Sequence, residues 1–148
     1  MINFKKIEDA KRLKTILSDE EISSGLVHVK INWEKNFDFK NVFSYLINDD
    51  DKEVGLVLLL NVSQFFKDDI VHMVDFGIKK RLRGKKALAI SKDILRDFFA
   101  LYPGSRMFAT IKVTNRKSLI FALWNGFNII NHDHINYYME LQDDGRFS

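Results

Sequence analysis

The chain gathers its charge in one place. In Lys79-Lys-Arg-Leu-Arg-Gly-Lys-Lys86, six of eight side chains are Lys or Arg. They leave 17 basic side chains to set against 20 acidic ones elsewhere, so the surplus that makes the chain +3 sits at one turn. The turn follows an apolar strand, Val74-Asp-Phe-Gly-Ile78, and opens an amphipathic helix running through Phe99. A helix start of this kind offers unpaired backbone N–H groups and the positive end of the helix dipole, which suits phosphate. An anionic ligand is therefore the first expectation. Taken alone, such a run reads more readily as a solvated or nucleic-acid-facing patch.

Other residues invite chemistry less strongly. Asp75 follows the alternation of its strand and would act as a general base if it faced a cleft. An ordinary aspartate has a pKa of about 3.9 and needs desolvation for that task, so a solvated carboxylate is an equal reading. His72, three residues upstream, falls on the opposite sheet face and is expected to be satisfied locally. Asn115 stands where a helix N-cap belongs, a role compatible with a ligand contact. His132 and His134 flank Asp133, but no third ligand has a supporting spacing, so a polar hairpin turn is expected there and no metal. Phe121, Trp124 and Phe127 are expected in the core.

The elements that must position these residues follow from periodicity and turn chemistry. Ile7, Ala10, Leu13, Ile16 and Leu17 recur at helical spacing, and Ser18-Asp-Glu-Glu21 has the spacing of a capping box for a second short helix. Residues 25–39 show no assignable pattern. Val42–Ile47 and Glu53–Val62 read as a hairpin around the acidic turn 48–52, with Gly55 marking a bulge or a close backbone approach. Val57–Leu60 is continuously apolar, as in a strand covered on both faces. Strands are expected at 70–78, 107–113, 127–130 and 135–141, and helices at 87–99 and 115–125, the last ended by Gly126. The order ααβββαβαββ predicts an α/β (α+β) fold with a mixed central sheet flanked by helices, and residues 1–148 are expected to form one domain.

Bulk properties narrow the class. Apolar content of 46% with 13 Phe can fill one core in 148 residues. The chain has no Cys, which excludes disulfides, thiolate metal sites and a cysteine nucleophile. The longest apolar run, Val54–Leu60, is far short of the roughly 20 residues that span a bilayer, and charge interrupts the first 17 residues where a secretory segment would be apolar. A cytoplasmic protein without a membrane partner is expected. The mild net charge argues neither for nor against nucleic acid.

Taken together, the strand, the basic turn and the Asn-initiated helix resemble the GNAT superfamily of N-acetyltransferases. The acyl-CoA loop of that family reads Arg/Gln-x-x-Gly-x-Gly/Ala after a strand. Leu82-Arg-Gly-Lys-Lys-Ala-Leu88 matches its common Tyr-Arg-Gly-Lys-Gly-Ile-Gly form over the first half, with Lys86 in place of the central Gly and Leu88 in place of the last small residue. An Arg-Gly-Lys-x-Ala loop is similar to some bacteriophage members. Asn115 through Gly126-Phe127 is similar to the family's Asn-x-x-Ala…Gly-Phe segment, with the eleven-residue spacing kept.

The resemblance covers residues 42–141 and implies an N-acetyltransferase that uses acetyl-CoA as co-substrate and attacks it directly with an amine. It implies that backbone groups from Arg83, Gly84, Lys85, Lys86, Ala87 and Leu88 hold the pyrophosphate, with Asn115 beside the cofactor. It places a strand-splaying bulge at Gly77, and pantetheine pairing near Phe76 and Ile78, with an N–H near Ile78 for the oxyanion. Asp75 would be the base. Many members carry a Tyr seven residues after the Asn as general acid; here that residue is Ala122, with Tyr45, Tyr137, Tyr138 or solvent as substitutes. The acceptor, whether amino acid, polyamine, antibiotic or protein N-terminus, stays open, as does a homodimer. Two alternatives stand beside this reading: a non-catalytic domain of the same fold that binds CoA or a protein, and a small nucleic-acid-binding module using residues 79–86, the less favoured of the two.

Overall fold

The structure is a computed structural model that describes residues 1–24, 26, 42–63, 66, 70–82 and 84–143. Seven strands form one mixed sheet in the order β1-β2-β3-β4-β5-β7-β6. They are β1 (Ile2–Ile7), β2 (Val42–Asp49), β3 (Lys52–Asn61), β4 (Val71–Ile78), β5 (Arg106–Lys112), β6 (Asn128–His132) and β7 (Asn136–Gln142). The described helices are α1 (Ala10–Leu17), α2 (Glu20–Ser23), α3 (Lys85–Leu101) and α4 (Arg116–Trp124), with a 3₁₀ turn at Lys80–Leu82.

The predicted order lacks β1. Ile7 is in phase with the apolar stripe of α1 but belongs to this strand, which pairs antiparallel with β2 from Ile2 opposite Asp49 to Ile7 opposite Ser44. The helix begins only after Asp9, whose carboxylate caps the Lys11 N–H at 2.9 Å. α2 starts one residue later than the capping-box spacing suggests, with Asp19 accepting from Glu21 N at 3.0 Å.

Two cores lie on opposite faces of the sheet. On one, α3 packs Ile94, Leu95 and Phe98 over Val57, Leu59 and Val74. On the other, Leu13 and Ile16 of α1 and Ile22 of α2 cover Leu46, Leu56 and Leu58. The run Val57–Leu59 therefore does feed both faces, as a continuously apolar strand should. The expected irregularity near Gly55 is present: Ile47 pairs with Gly55 but Asn48 with Glu53, leaving Val54 as the extra residue.

β4, α3 and β5 form the crossover expected from the sequence, and β4–β5 is the parallel pair of the sheet. That pairing is short. It joins Val71–Met73 to Arg106–Phe108 and goes no further, so the two strands part beyond Met73. β5 continues its pairing on the other side, with β7, along its whole length. A gap thus opens in the middle of the sheet, and the candidate site is built around it.

The α4 boundaries follow their caps. Asn115 accepts from Ser118 N at 3.2 Å. At the other end Gly126, at φ 98°, donates to Leu123 O while Phe127 N reaches Ala122 O, the paired bonds of a Schellman stop. Phe127 is buried as expected, but Trp124 is 59% exposed, because the helix turns its last residue away from the sheet.

Candidate functional site in the split sheet

Where β4 and β5 part, a cavity of about 230 Å³ passes through the sheet. Val74, Asp75 and Phe76 form one wall and Ala109–Lys112 the other. Ser24 and Leu26 line it beside α2, while Ser118, Phe121 and Ala122 of α4 line it from the opposite face. Residues from both cores therefore meet in one space.

Strand geometry decides which groups of β4 serve it. Val71 O accepts from Val62 N, and Lys79 N donates to Val54 O, so odd-numbered residues turn their backbone groups to β3. Ile70 O accepts from Arg106 N, so even-numbered residues turn theirs toward β5. Beyond Met73 the β4–β5 pairing ends, and Val74 and Phe76 direct backbone groups toward the gap. Gly77 belongs to the other set.

No bulge occurs at Gly77: the β3–β4 register is unbroken from Gly55–Ile78 to Asn61–His72. The absent side chain serves a different purpose. A Cβ on Gly77 would lie 2.3 Å from the carbonyl oxygen of Ile22 and 3.1 Å from Leu26 Cγ. Gly77 lets α2 lie directly on the strand, and so brings Ser24 and Leu26 to the cavity.

Asp75 is buried and lines the cavity on the α1/α2 side, opposite Leu58 of β3. His72 lies on the α3 side, as its spacing from Asp75 predicted. It is fully buried in an aromatic cluster, 4.7 Å from the Phe98 ring centroid and 4.9 Å from that of Tyr102. The expectation of local satisfaction fails: among the described residues neither ring nitrogen has a hydrogen-bond partner. Burial alone pushes its pKa down to about 4, so the imidazole is neutral near pH 7.

The basic turn is less available than its charge suggests. Lys79 bridges to Asp19 at 2.8 Å and Arg81 to Asp49 at 2.9 Å, while the Lys80 N–H donates to Glu21 at 2.9 Å. These bonds fasten the turn to α2 and to the hairpin. Arg83 lies outside the described residues. Gly84, at φ 97°, is the residue before α3 and gives no side-chain cap, and the space where its Cβ would stand is open to 4 Å. Among the described residues the first-turn N–H groups of Lys85, Lys86 and Ala87 thus lack a side-chain cap, and the Lys85 and Lys86 side chains are exposed. Leu88 differs from the expectation: its N–H donates to Gly84 O at 3.0 Å within the helix. Ala87 contributes backbone only, because its methyl is buried in the core.

Asn115 is the α4 cap, as expected, and it also lines the cavity. Ala122 faces the cavity, and no described lining residue is a phenol. Tyr45 is buried on the α3 side with its hydroxyl on Asp97 at 2.9 Å, where burial and that carboxylate push its pKa up. Tyr138 donates to Asp133 at 2.8 Å. Ser24 and Ser118 were not singled out from the sequence. Only the docking of α2 on Gly77 and the cap of α4 bring these two residues to one space.

Among the described residues no helix is long and apolar enough to cross a membrane. No family model matches the sequence, and no curated protein matches it at a significant level. Solved structures do match, and they show the fold: it is the one found in GNAT-family acetyltransferases. An acetyltransferase of the GNAT family from Streptococcus pneumoniae is 14% identical with a TM-score of 0.71, the match covering 96% of this chain and 99% of that one. N-acetyltransferase PseH from Campylobacter jejuni, in complex with acetyl coenzyme A, is 17% identical with a TM-score of 0.65, covering 97% and 100%. A mutant of spermidine N-acetyltransferase SpeG from Vibrio cholerae reaches a TM-score of 0.73 at 13% identity, covering 96% and 94%.

Proposed function

We propose that this chain is an N-acetyltransferase that transfers an acetyl group from acetyl-CoA to an amine by direct attack. The observation that carries the reading is the cavity through the split sheet, with a buried carboxylate on one side and an uncapped helix start where the chain leaves the splayed end of β4. A thioester with a long arm and a pyrophosphate suits such a site. The pyrophosphate lies against the N–H groups of Lys85–Ala87, where Gly84 leaves room and the helix dipole favours negative charge. The pantetheine arm enters the gap as an added strand along Val74 and Phe76, and Asn115 borders it.

In the reaction a neutral amine attacks the thioester carbonyl from the α1/α2 side. An N–C bond forms, the carbonyl electrons move to oxygen, and gap-facing amides of β4 stabilise the oxyanion. The C–S bond then breaks and CoA leaves as thiolate. Asp75, directly or through water, takes the ammonium proton. With Ala122 in the cavity, solvent protonates the thiolate. Holding both reactants in one small space supplies most of the acceleration.

The alanine at 122 favours one second reading, a domain that binds CoA without turning it over. Calorimetry at low salt and an acetyl-CoA consumption assay with a panel of amines separate the two. Binding with turnover supports the enzyme, and binding without turnover supports the second reading. Absence of binding contradicts both and leaves the basic turn as a macromolecular contact.

A further inference from the structure

Beside the cavity lies a second space that has its own chemistry. On the α1/α2 side of the sheet a groove of about 430 Å³ shares Ala109 and Thr110 with the cavity beside Asp75. Met73 and Phe108, the last β4–β5 pair before the strands part, form its floor, with Tyr138, Ile130 and Asn131 on the far side. Met73 and Asp75 lie on the same face of β4, about 7 Å apart as alternate strand residues are. A molecule seated on the groove therefore reaches Asp75 with one end.

Among its described lining residues the groove has no carboxylate and no basic side chain. The neighbouring acids are already engaged. Glu140 is bonded by Arg106 at 2.6 Å. Asp133 accepts from the Tyr138 hydroxyl and from two backbone N–H groups, at Ile135 and Asn136. The bond to Asp133 also fixes the Tyr138 ring as a wall. Among the described residues a polycation would find thioether, aliphatic and aromatic surface for its remaining ammonium groups and no counter-charge, which is costly.

We propose that the acceptor is a primary amine joined by a short linker to an uncharged aromatic or branched apolar body, which lies on Met73, Phe108, Ile130 and Tyr138. The inference rests on the acetyl-transfer reading above. It separates this chain from a spermidine acetyltransferase despite the shared fold.

The test compares 2-phenylethylamine and isopentylamine with spermidine and ethanolamine, by thiol release at saturating acetyl-CoA. Calorimetry of acetyl-CoA binding runs alongside. The apolar amines should exceed both others in kcat/KM by about tenfold or more, the size of a selectivity set by apolar contact. Ile130→Ser, at a position 52% exposed and outside both cores, should raise KM for 2-phenylethylamine several-fold with kcat nearly kept. If acetyl-CoA binds but spermidine or ethanolamine is used as well or better, the substrate inference is overturned while the acetyl-CoA site stands. It is equally overturned if no amine is turned over, or if Ile130→Ser leaves KM unchanged. Absence of acetyl-CoA binding removes the acetyl-transfer reading, and this inference with it.

Discussion

His72 gives the sharpest prediction about stability. The ring is fully buried among Phe43, Phe98 and Tyr102, without a described partner for either nitrogen, and its pKa falls to about 4. Because the folded value lies below the unfolded value of 6.5, the unfolded chain binds more protons between these two pH values. The contribution is then fully present above pH 6.5 and is lost as pH falls toward 4. With these two values, protonation of the unfolded state costs on the order of 2 kcal/mol of stability between pH 7.5 and pH 5. His72→Phe keeps an aromatic ring in the cluster and removes the titration. Urea unfolding of both proteins at the two pH values measures the effect. The wild type should lose about 2 kcal/mol more than the variant on going to pH 5. Phe is slightly larger, so overpacking can lower the variant's stability at both pH values without altering the difference. Equal losses in the two proteins would refute the view of His72 as a buried neutral base without a partner.

Three further predictions concern the site. Gly77→Ala should destabilise by roughly 1–3 kcal/mol in denaturant unfolding, because the Ile22 carbonyl blocks its methyl; a change below about 0.5 kcal/mol, the usual surface range, would mean that α2 moves freely on the strand. Gly84→Ala meets no steric neighbour but must hold φ near 97°, so it should cost about 1–3 kcal/mol of local strain and weaken CoA binding in calorimetry; unchanged affinity would detach the turn from the ligand. Asp75→Asn should lower kcat by about 10²–10⁴-fold while CoA affinity stays within a few-fold, and unchanged turnover across pH 6–9 would assign proton removal elsewhere.

Much of this site was legible in the sequence where local patterns decide it. The crossover from β4 through α3 to β5, and the Asn115 and Gly126 ends of α4, follow from apolar periodicity and cap residues. The opposed faces of His72 and Asp75 follow from strand alternation. What was not legible depends on distant partners. β1 is a strand because β2 accepts it in register, whereas its own residues continue the stripe of α1. The charge of the basic turn is partly neutralised by Asp19 and Asp49, which belong to other elements. The family resemblance implies a bulge at Gly77, but the reason for a glycine there is the backbone of α2 lying against it. The pattern of α4 does not reveal that Trp124 points outward. Residues 27–41, most of which carry no assignable sequence pattern, lie outside the described residues.

Whether acetyl-CoA occupies the split sheet is tested most directly by an amide chemical-shift map of the ¹⁵N-labelled protein titrated with that cofactor. The largest changes are expected at Val74 and Phe76 in the open stretch of β4 and at Lys85–Ala87 at the start of α3, with α1 unaffected. Binding that perturbs the basic turn while leaving the gap between β4 and β5 silent would contradict a cofactor seated between the strands.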